Sequence, residues 1–256
     1  MTTLMTESEW LAATDPKRML EFNRVRASAR KLRLLACACC REVWHLLEDK
    51  QSRRVVAIVE KCADGTASKK EVRSVKARSA EVFYQLKFSS KWSDGERKYG
   101  QSIVRFLGRD SSSPVPTRTG RRGRVSSRSA FEELAELDEA FGAALDAVEA
   151  TSDAVDRLVT NDPRASDDLV SRQSTLARDI FGNPFRPAPL DPAWQTSTVL
   201  SLAEGIYADR AFDRLPILAD ALEESGCDNT DLLNHCRSEG PHARGCWAVD
   251  LLLGKE

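Results

Sequence analysis

The chain has 256 residues, of which 41% are hydrophobic and 30% charged, with a formal net charge of -1. This composition is typical of a soluble globular protein that is long enough to bury a sizeable core. No apolar run reaches the roughly 18–20 residues needed to cross a bilayer, and the first ten residues lack the basic start and apolar stretch of a signal peptide. These features exclude a transmembrane helix, and we expect a cytoplasmic protein without a membrane partner.

The two halves of the chain carry opposite charge. Residues 1–129 contain 28 Lys and Arg against 14 Asp and Glu, whereas residues 130–256 contain 10 against 25. Such halves either bind each other or present very different surfaces to partners. The sequence does not decide between these alternatives.

The first elements in the chain begin at capping signals. Thr6 and Glu9 form a capping box, and Asp15 followed by Pro16 is typical of a second helix start. A strongly amphipathic helix is predicted from Ser28 to about Asp49. Its polar face is basic through four side chains, which are Arg30, Lys31, Arg33 and Arg41.

The same predicted helix contains Cys37, Cys39 and Cys40, three of the seven cysteines of the chain. Successive helical residues point about 100° apart, so these thiols cannot converge on one metal ion without partners from elsewhere. An odd cysteine count with a helical cluster is also poor geometry for a disulfide framework. We therefore expect reduced cysteines that line a core.

Further helices are predicted along the basic half. One runs from about Ser52 to Cys62 and ends near Gly65, and Ser68 to Glu71 forms a second capping box ahead of the next. Another helix is expected after Asp94. Residues 109–129 contain six arginines, one acid and few apolar side chains, which predicts a disordered linker.

The acidic half is predicted to be helical as well. Apolar residues at heptad spacing from Phe131 to Val159 fit either a coiled-coil seam or a long bundle helix, and alanine and threonine in the seam favour the bundle. A helix from Ser166 to about Phe181 precedes a proline-rich crossing in which Trp194 is expected to be buried. The remaining helices are predicted at 196–209, 214–225, 229–238 and 241–253.

No run of alternating polar and apolar residues indicates a strand, so the predicted fold class is all-α, as an irregular multi-helix bundle or an array of short helices. Trp247 is expected on the inner face of the last helix together with Leu251. The pattern divides the chain into four regions. They are a basic helical region 1–108, the linker 109–129, an acidic helical region 130–178 and a helical region 179–256 rich in Pro and Gly breaks.

Two C-terminal motifs carry a resemblance. The segments Gly-Asn-Pro-Phe-Arg-Pro at 182–187 and Gly-Pro-His-Ala-Arg-Gly-Cys-Trp at 240–247 are specific enough to be informative. Together with the N-terminal segments around Trp10 and Cys39, they resemble a family present in many copies in planctomycete-type bacterial genomes. The resemblance covers about two thirds of the chain, at its two ends. It implies a bacterial cytosolic protein and brings no activity with it.

A C-terminal group of metal-ligand residue types suggests a zinc site. Cys227, Cys236, His242 and Cys246 are the candidate ligands, and His235 lies among them. His242 and Cys246 are four residues apart on one predicted helix face, and soft or borderline ligands of this kind suit tetrahedral Zn²⁺. The spacing contains no Cys-x-x-Cys knuckle, and cysteine is also common in cores. The expectation is therefore no cofactor, with a structural zinc ion as the alternative.

Basic residues suggest a nucleic-acid interface. The candidates lie on two predicted helices and in the linker, and they are Arg53, Arg54, Lys69, Lys70, Arg73, Arg121, Arg122 and Arg124. Such a surface can neutralise phosphates. The acidic half carries enough charge to cover it, and no helix-turn-helix motif stands out.

No pattern indicates catalysis, since the chain contains neither a nucleophile elbow nor a phosphate-binding glycine loop in a strand-to-helix context. The leading interpretation is a non-enzymatic module that binds an unknown protein partner. Nucleic-acid binding is the second hypothesis and a C-terminal zinc module the third.

Overall fold

A computed structural model of the chain describes residues 5–46, 50–74, Val148 and 163–255. Within these ranges the secondary structure consists of helices and short 3₁₀ turns without a strand, which confirms the all-α prediction. None of the helices in the described ranges is both long and apolar enough to span a bilayer. The linker 109–129, the helix predicted from Phe131 to Val159, and the helix expected after Asp94 lie outside the described residues.

The described helices are mostly short. In chain order they are α1 (Glu7–Ala12), α2 (Pro16–Asn23), α3 (Ala29–Glu42), α4 (Lys50–Ala63), α5 (Pro163–Phe181), α6 (Ser197–Asp209), α7 (Leu215–Glu224), α8 (Thr230–Arg237) and α9 (Trp247–Leu253). A further helical stretch begins at residue 69 and is described to residue 74.

Local hydrogen bonds at the helix starts match the capping signals in the sequence. Thr6 Oγ1 accepts from the Glu9 amide at 3.3 Å, and Glu9 Oε2 accepts from the Thr6 amide at 2.8 Å. Ser68 and Glu71 make the same reciprocal pair. Each box satisfies backbone donors that the first helical turn leaves free, so both capping predictions are confirmed.

Helix α5 joins the N-terminal and C-terminal parts. It packs against both α2 and α3, and its Leu176, Ala177 and Ile180 share one apolar core with the N-terminal residues Trp10 and Leu20. Val148 is buried in the same core. The described residues of 5–74 and 163–255 therefore form one packed structure rather than two separate bodies.

A second core lies under the C-terminal helices. It contains Trp194, as expected from the sequence, and it is lined by the apolar faces of α6, α7, α8 and α9. A smaller cluster places Cys37 and Cys40 of α3 against Val56 and Ile58 of α4. The interpretation of the cysteine cluster as core packing agrees with this placement.

Helix α3 is shorter than predicted. It ends at Glu42 rather than near Asp49 and is followed by a 3₁₀ turn at Trp44–Leu46. The Trp44 carbonyl accepts from Arg53 Nη2 at 3.2 Å, and the Arg41 and Arg53 guanidinium groups flank the Trp44 ring. The contacts with Arg53 come from the neighbouring helix α4, and they hold the chain in a turn that hydrophobic periodicity does not reveal.

The last helix also differs from the prediction. Residues 241–246 form a loop, and α9 begins only at Trp247. One local and one tertiary feature hold the loop. Gly245 has a φ of +96°, which a helix does not allow, and the Ala243 amide donates to Asp179 Oδ2 rather than to a helical carbonyl. Trp247 and Leu251 are consequently only half-buried, and the inner face of α9 is formed by Ala248, Val249 and Leu252.

Candidate metal centre

Four side chains with metal-binding atoms meet where α5, α8 and the loop before α9 come together. Asp179 lies two residues from the end of α5, His235 lies in the last turn of α8, and His242 and Cys246 lie in the loop. One ligand atom from each of the four lies within 4.8 Å of the others. The group is named here the Asp179 cluster.

The contacts inside the Asp179 cluster are short. Asp179 Oδ1 lies 2.7 Å from His242 Nδ1 and 3.2 Å from His235 Nε2. His235 Nε2 also lies 3.1 Å from Cys246 Sγ. The carboxylate oxygen and the thiol sulfur therefore both face the same imidazole nitrogen.

Hydrogen bonds from outside orient two of the four side chains. Asp179 Oδ2 accepts from the Ala243 amide at 2.9 Å, which leaves Oδ1 for the cluster. His242 Nε2 donates a hydrogen bond to the Ser238 carbonyl at 3.2 Å. In the neutral imidazole this bond leaves a lone pair on Nδ1, the atom that faces Asp179, whereas the protonated imidazolium donates from Nδ1 to Asp179.

Burial and charge act together on the cluster. Burial raises the pKa of Asp179, but hydrogen bonds from His235 and His242 outweigh burial, and the pKa is lowered. Burial lowers the pKa of His242, whereas the hydrogen bond to Asp179 raises it, and the net change is upward. Burial raises the pKa of Cys246 well above its usual value, and the Asp179 charge adds to this.

A free Cys246 is therefore a poor nucleophile, because the reactive thiolate is strongly disfavoured in this environment. The contacts also differ from those of a catalytic Cys-His-Asp relay. In such a relay the acid binds the ring nitrogen opposite to the one that faces the thiol, whereas here Asp179 and Cys246 contact the same Nε2 of His235. The arrangement suits four ligands around one cation.

The sequence hypothesis and the structure agree on part of this ligand set. His242 and Cys246 belong to the Asp179 cluster, and so does His235. Cys227 and Cys236 do not, because both lie in the apolar core under α7 and α8. Burial raises the pKa of Cys236 to about 12, as expected for a thiol that packs as a small apolar side chain.

Asp179 is the member that sequence reasoning missed. A signal for it exists, since Asp179 is three residues after Leu176 and next to Ile180 on the apolar face of a helix that was predicted correctly. An acid at such a position must be paired when buried. Its partners, however, lie 56 or more residues further along the chain.

Five of the eight basic residues predicted to bind nucleic acid lie in the described part of the chain. Arg53 is half-buried against Trp44, whereas Arg54, Lys69, Lys70 and Arg73 are exposed. Arg121, Arg122 and Arg124 lie outside the described residues.

Other basic residues of the first half are paired inside the fold. Arg30 is buried and donates to both carboxylate oxygens of Asp250, at 2.7 and 3.0 Å, and to the Tyr207 hydroxyl at 2.7 Å. Lys31 donates to the carbonyl groups of Ile180 and Gly245 and lies 2.7 Å from Asp250. Part of the positive charge is thus used to join the two halves.

The fold and the Asp179 cluster together describe the protein as α-helical, with three segments that meet at a group of one Asp, two His and one Cys. Comparisons with family models, with curated proteins and with solved structures return no match for this chain.

Proposed function

We propose that the protein binds one Zn²⁺ ion through Asp179, His235, His242 and Cys246, and that the ion stabilises the C-terminal helices. The convergence of four ligand atoms within 4.8 Å is the observation that supports this proposal. The roles in binding a protein partner and in binding nucleic acid stay predictions, which the proposed ion neither requires nor excludes.

The donor set suits zinc. Two imidazoles, one thiolate and one carboxylate are all common zinc ligands, and a mixed nitrogen and sulfur set favours a tetrahedral site. Bonds of 2.0–2.1 Å give edges of about 3.3 Å between the nitrogen and oxygen ligands of a tetrahedron. The 3.2 Å contact between His235 and Asp179 is close to that edge, and the 2.7 Å contact of His242 needs to open by about half an ångström. The longer zinc–sulfur bond of about 2.3 Å gives a nitrogen–sulfur edge of about 3.6 Å, so the 3.1 Å contact between His235 and Cys246 needs to open by a similar amount.

The surroundings suit zinc as well. The second nitrogen of a metal-bound histidine usually donates to a carbonyl or carboxylate, and His242 Nε2 has that partner in the Ser238 carbonyl. The Nδ1 lone pair then faces a carboxylate oxygen, and two acceptors at 2.7 Å need a proton or a cation between them. Zinc supplies the cation and lets Cys246 ionise in spite of its burial.

Four protein ligands leave no open position on a tetrahedral ion, which is the pattern of a structural rather than a catalytic zinc site. In this proposal the ion joins the three segments that supply the ligands, and the protein is non-enzymatic.

Metal analysis tests the proposal. We expect one zinc per chain by elemental analysis after purification with zinc in the medium, and a Cys246→Ser variant with much less. Cys227→Ser is the matched control, because Cys227 is a buried cysteine outside the cluster. Full zinc content in Cys246→Ser, or a metal-free wild type that does not take up added zinc, would contradict the proposal.

Cobalt substitution keeps the test independent of how the variants fold. Wild-type protein loaded with Co²⁺ should show the intense visible bands of a tetrahedral ion and a charge-transfer band from one thiolate. Zinc at about a thousand times its Kd should also stabilise the fold by about 4 kcal/mol, so a strong chelator should lower Tm by about 10 °C. An unchanged Tm and an octahedral cobalt spectrum would contradict a structural site.

A further inference from the structure

A cavity of about 200 Å³ lies between α3, α4, the end of α6 and the loop before α9. Three arginines from separate segments line it, namely Arg41, Arg210 and Arg244. Glu42, Glu60 and His242 complete its polar lining, and the remaining walls are apolar. The cavity is smaller than the roughly 300–1,000 Å³ pockets of drug-sized ligands.

The lining of this cavity carries more positive charge from arginines than negative charge from carboxylates. Glu60 is buried and accepts from Arg41 at 2.6 and 2.8 Å, and it accepts from Arg210 as well. Glu42 binds Arg172, which lies outside the lining. Two arginines therefore share one carboxylate, and the third arginine has no carboxylate of its own in the lining.

Arg244 is incompletely paired. Its Nη2 donates to the Tyr207 carbonyl at 3.1 Å, and its Nη1 lies 3.6 Å from Asp64, which also binds Arg30. Its Nε is buried and has no acceptor among the residues that the structure describes. A buried donor without an acceptor costs stability, and a ligand that accepts from it recovers this loss.

Arg210 is held in place by an unusual backbone. Its φ is +55°, the left-handed region that a side chain disfavours, and it caps the C-terminus of α6. Glycine is the usual residue at such a cap, so an arginine there has a strained backbone conformation, and this conformation fixes where its side chain begins. Burial lowers the pKa of Arg210, Glu60 raises it, and the neighbouring charges of Arg41 and Arg244 lower it further.

From this arrangement we infer that the cavity binds a small oxyanion, as inorganic phosphate or as the phosphate group of a small ester. Planar guanidinium groups match the oxygens of a tetrahedral anion in pairs, and several together form strong phosphate sites. The anion neutralises the excess positive charge and accepts from Arg244 Nε. The site adjoins the Asp179 cluster through His242 and does not require the zinc ion.

Calorimetric titration tests this inference on the full chain. We expect saturable one-to-one binding of inorganic phosphate or glycerol 3-phosphate at constant ionic strength, and the tighter of the two identifies the form of the ligand. Arg210→Gln and Arg244→Gln should each weaken binding at least tenfold. Arg237→Gln is the matched control, since Arg237 is exposed and pairs with Glu223 and Asp220, and its affinity should equal that of the wild type.

Failure to bind either phosphate compound by the wild type would overturn the inference whatever the variants do. A wild-type affinity retained in folded Arg210→Gln and Arg244→Gln would overturn it as well. Titrating zinc-loaded and chelated protein separates this site from the proposed metal site. Phosphate binding that needs zinc and survives Arg210→Gln would place the anion on the metal and overturn the arginine site, whereas phosphate binding by a protein that takes up no zinc would contradict the zinc proposal alone.

Discussion

Arg30 is the side chain with the most demanding environment among the basic residues described. It is almost fully buried, and it binds Asp250, Asp64 and Tyr207 at once. Burial lowers the pKa of Arg30, but the contacts with Asp250, Tyr207 and Asp64 together outweigh burial and raise it. The group therefore stays charged in the interior because each of its three nitrogen atoms donates to an acceptor.

Replacing Arg30 by alanine should destabilise the protein strongly. The change leaves the carboxylates of Asp250 and Asp64 buried without their main partner, and breaking such a buried pair typically costs about 3–5 kcal/mol. Urea unfolding followed by circular dichroism measures the loss. Arg54→Ala is the control, because Arg54 is exposed and its loss should change the free energy of unfolding by less than about 0.5 kcal/mol. Equal midpoints for the two variants would mean that the Arg30 pairs add nothing to stability.

Single buried polar residues were the least predictable from sequence. Arg30 was assigned to a basic polar face, because the helix period alone cannot show that Asp250, 220 residues away, covers it. Asp179 was overlooked for the same reason. His235, His242 and Cys246 were recognisable because they are close in sequence, and Cys227 and Cys236 look the same on that criterion although they pack in the core.

The starts of the helices differ in whether they can be predicted from the local sequence. A capping box needs only four consecutive residues, so Thr6 with Glu9 and Ser68 with Glu71 mark their helix starts locally. The start of α9 depends on remote groups, because Asp179 binds the Ala243 amide and Leu34 packs beside Gly245. Its boundary was therefore misplaced by six residues, whereas the helical character of the segment was correct.

Gly245 and Gly254 give a matched test of that loop. Both have positive φ, but a Cβ on Gly245 would lie 2.8 Å from Leu34 Cδ1 and 3.1 Å from its Cβ, whereas one on Gly254 would meet nothing within 4 Å. Gly254→Ala should cost only the backbone strain, about 1–2 kcal/mol. Gly245→Ala should cost a further ~1–3 kcal/mol because it overpacks a buried contact. Thermal unfolding of the two variants measures the difference, and a Gly254→Ala variant as unstable as Gly245→Ala would show that the contact with Leu34 is not tight.

At the scale of the whole molecule, ion pairs between the two halves form in both senses: bases of the first half bind acids of the second, and an acid of the first half binds a base of the second. Arg30 and Lys31 of the basic half bind Asp250, whereas Glu60 of the basic half binds Arg210 from the acidic half. The net charges left open whether the halves bind each other, and they did not identify these pairs. The all-α class could be predicted because helical periodicity is visible within short segments of sequence. The packing of α2 and α3 on α5 depends on how the surfaces of distant helices fit together, which a single sequence does not show.

A fragment of residues 1–129 should not fold by itself. It lacks α5, whose Leu176, Ala177 and Ile180 complete the N-terminal core, and it leaves Arg30 without Asp250. We expect circular dichroism to show reduced helicity per residue and no cooperative thermal transition, whereas the full chain under the same conditions unfolds cooperatively. A fragment with a sharp transition near that of the full chain would mean that the two halves are independent domains. Nucleic-acid binding is accordingly best measured on the full chain.

The buried ion pair between Arg30 and Asp250 affects how the protein folds while it is being synthesised. A ribosome adds about 5–20 residues per second, so the 220 residues between the two partners take about 10–40 s to synthesise. During that interval Arg30 lacks Asp250, and the part of α3 that packs on α5 is exposed until residues 163–181 have been made. We therefore expect the newly made chain to depend on chaperones for longer than a protein of similar size whose contacts are local, and slowing translation near its end should increase aggregation of the nascent chain.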